Sequence, residues 1–126
     1  MTALVTAKVS DALQILQTLE IRHLPIVDER HQLVGMLSDR DIKDASVPYT
    51  AYGSSGVARE LLARPVTDIM SSDVVSVGTE AEIDEIIDLL LENKVGALPV
   101  VDETTGDLEG IVSYVDVLRA MRDRER

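Results

Sequence analysis

Leu24-Pro25-Ile26-Val27-Asp28 and Leu98-Pro99-Val100-Val101-Asp102 share four residues of five, at an offset of 98 − 24 = 74. A second matched stretch follows each. Gly35-Met36-Leu37-Ser38-Asp39-Arg40-Asp41-Ile42 aligns with Gly110-Ile111-Val112-Ser113-Tyr114-Val115-Asp116-Val117, at 110 − 35 = 75, so the second turn holds one more residue. Gly, Ser and Asp recur, and each apolar position stays apolar. Two blocks in one order at nearly one offset mark an internal repeat, and each copy then reads as one supersecondary unit.

The residues around these blocks read alike in both copies. Val9, Ala12, Leu13, Leu16 and Leu19 fall at three- and four-residue spacing, as do Ile83, Ile86, Ile87 and Leu90. That spacing predicts a helix in each repeat. Thr79 and Glu82 form a T-x-x-E pattern that predicts a capping box at the second of these helices. Strands are expected near 23–28 and 33–37, then 97–101 and 108–112, joined by polar turns at Asp28–Gln32 and Asp102–Asp107. A further helix is expected from each Ser-x-x-Asp. Repeat 2 also has a lead-in, Pro65–Met70 and a strand at Val74–Val77, where repeat 1 has only about Met1–Val5. The expected division is repeat 1 over 1–46, with its lead-in strand short or missing, a linker over 47–64, and repeat 2 over 65–126. Within the linker, Pro48 and Gly53-Ser54-Ser55-Gly56 suggest a loop over 46–57 before a short helix near 58–64. The expected fold class is α+β: two β-α-β-β-α repeats.

Composition narrows the function. The 126 residues are 45% hydrophobic but only 2% aromatic, so the core must be aliphatic. A formal net charge of -11 argues against nucleic acid, whose binding rests on Lys and Arg neutralising phosphates. With no cysteine, disulfides, thiolate metal sites and cysteine catalysis are excluded. His23 and His31 cannot share a helix face, so no metal site is expected. No apolar run approaches the ~20 residues of a membrane span, and no signal peptide precedes the first helix. The default reading is a cytoplasmic chain. No nucleophile–base pairing or Gly-rich phosphate loop appears, and no catalytic residue is assigned.

Ser38 and Asp41 are the first candidate pair, with Ser113 and Asp116 as counterparts. Each stands where a strand passes into a helix. Free N–H groups and a positive dipole end suit a phosphate there, and a carboxylate can accept ribose hydroxyls. The same spacing is also that of a capping box, which needs no ligand. The two roles are compatible, because a cap does not occupy every N–H. Arg40 and Lys43 add positive charge beside Asp41, which helps hold an anion on an acidic chain, although exposed helix charges are ordinary. The Arg-rich run Arg119–Arg126 reads as a solvated extension of the last helix.

These motifs, with Val66-Thr67-Asp68-Ile69-Met70, resemble the cystathionine-β-synthase (CBS) domains, which occur in tandem pairs. The resemblance covers nearly the whole chain. It implies pseudo-twofold β-α-β-β-α units whose sheets face each other and leave two clefts. It implies an adenosine ligand there: AMP, ADP, ATP or S-adenosylmethionine, with no cofactor required. It implies Asp41 and Asp116 on the ribose and Ser38 and Ser113 near the phosphate. Arg22 and His23 stand where family members place basic residues toward phosphates; Gly96 and Ala97 replace them in repeat 2. Thr79 stands where one repeat reaches the ligand held by the Asp of the other; Val5 and Thr6 occupy the matching place in repeat 1. The Asp41 cleft is therefore expected to be the better nucleotide site. A homodimer regulating an enzyme or transporter is the implied setting. The alternative is an interaction module that dimerises through aliphatic helix faces without any ligand.

Overall fold

A computed structural model describes residues 2–51 and 55–124. The chain runs β1 (Ala3–Leu4), α1 (Val9–Thr18), β2 (His23–Val27), β3 (Leu33–Ser38), α2 (Asp39–Ala51) and α3 (Ser55–Ala63). A short 3-10 turn at Val66–Asp68 leads to β4 (Val77–Gly78), α4 (Ile83–Asn93), β5 (Ala97–Val101), β6 (Leu108–Ser113) and α5 (Tyr114–Arg124). These elements form two three-stranded sheets, ordered β1-β2-β3 and β4-β5-β6. The fold is α+β, and the β-α-β-β-α repeat is present twice.

Two compact units result. The first comprises Met1–Arg30 and Val34–Val74, the second His31–Leu33 and Val75–Arg126. In the first, Val9, Ala12 and Leu16 on α1 are buried at i, i+3 and i+7 against Leu24 and Ile26 of β2, Leu37 of β3 and Ile42 of α2. This is the apolar stripe that the spacing predicts. β2 is the central strand, and Leu24 to Val27 are all buried, as an uninterrupted apolar run requires. The second core is smaller: Val77, Leu90, Leu98 and Val117.

Both lead-in strands are parallel to the strand after the first helix. β1 pairs Ala3 with Ile26 and Leu4 with Val27; β4 pairs Val77 with Val100 and Gly78 with Val101. Repeat 1 thus has its lead-in strand, as long as that of repeat 2. In repeat 2, Val74–Ser76 do not extend the strand, which begins only at Val77. Such brevity suits Pro25 and Pro99. Each stands one residue before the point where β1 or β4 joins, so on that side its strand is still an edge, where a proline nitrogen is tolerated.

Three further expectations are corrected. The segment 46–57 is not a loop as expected: α2 continues to Ala51 and α3 begins at Ser55, while residues 52–54 lie outside the described residues. Pro48 removes one N–H near the end of α2, which does not stop a helix already nucleated upstream. The Thr79/Glu82 capping box does not form. Ala81 N–H donates to Gly78 C=O in a turn, and α4 starts with Glu82 as its N-cap, so Thr79 stands too far upstream. Finally, Pro65–Met70, a lead-in to repeat 2 by sequence, packs into the first unit. Val66 is fully buried there, its N–H donates to Ala7 C=O, and Met36 and Ser71 exchange backbone hydrogen bonds at 2.9 Å.

Candidate functional site

Ser38 ends β3 and Asp39 begins α2. The Ser38 N–H donates to Asp41 Oδ2 at 2.9 Å, and the Asp41 N–H donates to Ser38 Oγ at 3.0 Å. This is a reciprocal capping box. The Asp39 N–H donates to Arg22 C=O at 3.0 Å. That bond brings the residue before β2 against the start of α2. Arg22, His23, Ser38, Arg40 and Asp41 therefore gather at one end of the first sheet.

The second unit repeats this backbone arrangement. Ser113 N–H donates to Asp116 Oδ2 at 2.9 Å, Asp116 N–H to Ser113 Oγ at 3.2 Å, and Tyr114 N–H to Gly96 C=O at 3.0 Å. The Ser113 hydroxyl also approaches Asp116 Oδ2, at 3.0 Å. Thr79 is exposed in the turn after β4 and belongs to the second unit.

These bonds change the expected chemistry of both helix starts. The sequence pattern alone would give a phosphate the free N–H groups there. Two of them are already satisfied in each unit: Asp39 and Asp41 in the first, Tyr114 and Asp116 in the second. Side-chain cations must then carry more of any phosphate binding, and the units differ in them. At the positions aligned with Arg22, His23 and Arg40 of the first, the second has Gly96, Ala97 and Val115. Asp41 gives Oδ2 to its box, and among the described residues Oδ1 has no hydrogen bond, so it remains an acceptor for a hydroxyl pair.

His23 is half-buried. Desolvation holds its imidazole below the usual 6.5; Asp39 and Asp41 act in the opposite direction, and Arg22 reinforces the lowering. Asp39, a residue the sequence reading passed over, is thus part of this cluster. Its Oδ2 also lies 3.9 Å from Lys43 Nζ, an exposed i,i+4 pair worth little energetically. Its signal was its position as first helical residue after a capping serine, where a carboxylate favours the helix dipole.

Among the described residues, no cluster of three or more His, Cys, Asp or Glu is arranged to hold a metal. None of the described helices is long and apolar enough to cross a membrane.

Known proteins resemble the chain over this same architecture. The family model described as CBS domain matches residues 1–48 and 66–123. An inosine-5'-monophosphate dehydrogenase from Methanocaldococcus jannaschii is 32% identical over 111 residues, covering 88% of the chain but 19% of that enzyme. The chain thus spans about a fifth of the length of the dehydrogenases it matches. The crystal structure of CBSX2 in complex with AMP superposes with a TM-score of 0.82 at 28% identity, over 100% of the chain and 90% of the other. The CBS domain pair of protein MJ0100, in complex with 5'-methylthioadenosine and S-adenosyl-L-methionine, gives a TM-score of 0.78 at 27% identity, over 96% and 90% of the two chains. With both of its repeats matched, the chain belongs to the CBS domain family.

Proposed function

We propose that the chain is a regulatory module that binds an adenosine compound, AMP, ADP, ATP or S-adenosylmethionine, and passes the resulting change in conformation to a partner. The observation that carries this is the cluster at the start of α2. Arg22 and Arg40 supply positive charge there, His23 stands beside Arg22 as a protonatable donor, and Asp41 keeps one carboxylate oxygen available beside the Ser38 cap. Arginine is suited to phosphate because its planar fork donates two parallel hydrogen bonds. The ligand-binding residues of the proposal are Arg22, His23, Ser38, Arg40 and Asp41 in the first unit, with Thr79, Ser113 and Asp116 in the second. Complexes of similar CBS pairs with AMP, and with 5'-methylthioadenosine and S-adenosylmethionine, support the ligand class. The module itself is non-catalytic in this reading, because the dehydrogenase match covers only about a fifth of those enzymes. A cytoplasmic homodimer regulating an enzyme or transporter completes the proposal.

Isothermal calorimetry with each of the four compounds tests it directly. Saturable binding of at least one, weakened in Arg22→Ala, is the expected result. No binding by any of them would favour the ligand-free interaction module. That second reading has its own observation: Leu91 on α4 and Leu118 on α5 are large apolar side chains left 71% and 59% exposed.

A further inference from the structure

His23 is the one member of the α2 cluster whose charge ordinarily changes between about pH 5 and 8. Its setting makes that change consequential. It opens β2, half-buried, with Arg22 beside it on its own segment and Asp39 and Asp41 across from it on α2. Arg40 stands between those two carboxylates in sequence, and Lys43 pairs with Asp39. The other elements against β2 bring little charge. β1 and β3 carry no ionisable side chain, and α1 carries only Asp11, whose Oδ2 accepts the Lys8 N–H at the opposite end of that helix.

We propose that His23 makes ligand binding at this site proton-linked, so that phosphorylated adenosine binds more tightly at mildly acidic than at neutral pH, while unphosphorylated adenosine does not. This rests on the nucleotide reading above and adds a regulatory property to it. Burial keeps the imidazole neutral in the free protein at neutral pH. A phosphate beside it supplies the charge partner that favours the imidazolium. By linkage, a ligand that favours the protonated form takes up a proton on binding, and its affinity rises as the pH falls. Adenosine lacks the anion and gains nothing from the proton.

Imidazole NMR titration of the full chain tests this, because only two histidines are present and His31 serves as internal reference. His23→Gln assigns the signals. Saturating AMP is expected to raise the His23 titration midpoint by about half to one unit, which corresponds to a three- to tenfold tighter complex with the protonated protein. Saturating adenosine is expected to leave it unchanged. A second measurement compares AMP affinity in wild type and His23→Gln. That ratio cancels the titration of AMP's own phosphate, and it is expected to be about three- to tenfold larger at about pH 5.5 than at about pH 7.5. AMP binding with an unmoved midpoint, or a ratio flat with pH, overturns the inference and leaves the nucleotide reading standing. Failure of both ligands to bind at either pH overturns both.

Discussion

At Glu20 and Lys94 the backbone turns left-handed, with φ of 54° and 53°. The positions are equivalent, 94 − 20 = 74, and each follows the first helix of its repeat. The bond that closes the turn is equivalent too: Ile21 N–H to Leu16 C=O at 3.0 Å, and Val95 N–H to Leu90 C=O at 3.2 Å. Both are Schellman-type ends in which glycine is favoured. Lys94→Gly is therefore expected to raise unfolding free energy by up to about 1 kcal/mol in urea titration, and Glu20→Gly likewise. Neither residue type announces this conformation, so the two ends were not legible in the sequence. The Ser-x-x-Asp boxes were legible, because their partners are three residues apart and need no tertiary contact. Asp41→Ala and Asp116→Ala should each cost about 0.5–2 kcal/mol for loss of the cap alone. His23 gives a pH dependence of the opposite sign to its ligand effect. Above the usual 6.5 the imidazole is neutral in both folded and unfolded chains, and it contributes nothing. Below 6.5 the unfolded chain takes up the proton first, because burial lowers the folded value, so stability is lost as the pH falls through that window. The urea midpoint of the free protein should decline there, and His23→Gln should flatten the decline.

Among the elements, strands and first helices follow from pattern because each buries a stripe or a run. Leu24 is fully buried on the central strand, whereas Leu91 on α4 is 71% exposed. Leu24→Ala is expected to cost about 2–5 kcal/mol, and Leu91→Ala to stay within about 0.5 kcal/mol, as urea unfolding of the free chain would show. What the pattern missed has local causes. The stretch 46–57 is rich in Pro, Gly and Ser, but helices α2 and α3 reach into it from both ends. α3 packs against α1 and α2, and tertiary packing of that kind overrides weak propensity. Thr79 and Glu82 had the letters of a box, yet β4 and its turn consume Thr79 before the helix begins.

For the whole molecule, a doubled motif let one repeat be read against the other, and the alignment of two blocks carried most of the fold. Sequence order did not show that Val66, Ile69 and Met70 would pack into the first unit rather than the second. That placement is a long-range packing contact, and the repeat pattern does not encode it. The repeat did make the chemical inequality of the units visible. The two capping boxes match bond for bond, while the cations Arg22 and Arg40 have Gly96 and Val115 as counterparts. A purely structural role predicts that Asp41 and Asp116 behave alike. A ligand role centred on the first unit predicts that they do not. Thermal unfolding of wild type, Asp41→Ala and Asp116→Ala, each with and without AMP, separates these outcomes. At ~100 times its dissociation constant the ligand should add about 2.7 kcal/mol to wild type. The account predicts that both variants start lower, that Asp116→Ala keeps the AMP-dependent shift, and that Asp41→Ala loses it. Equal shifts in all three proteins, or none in wild type, would contradict it.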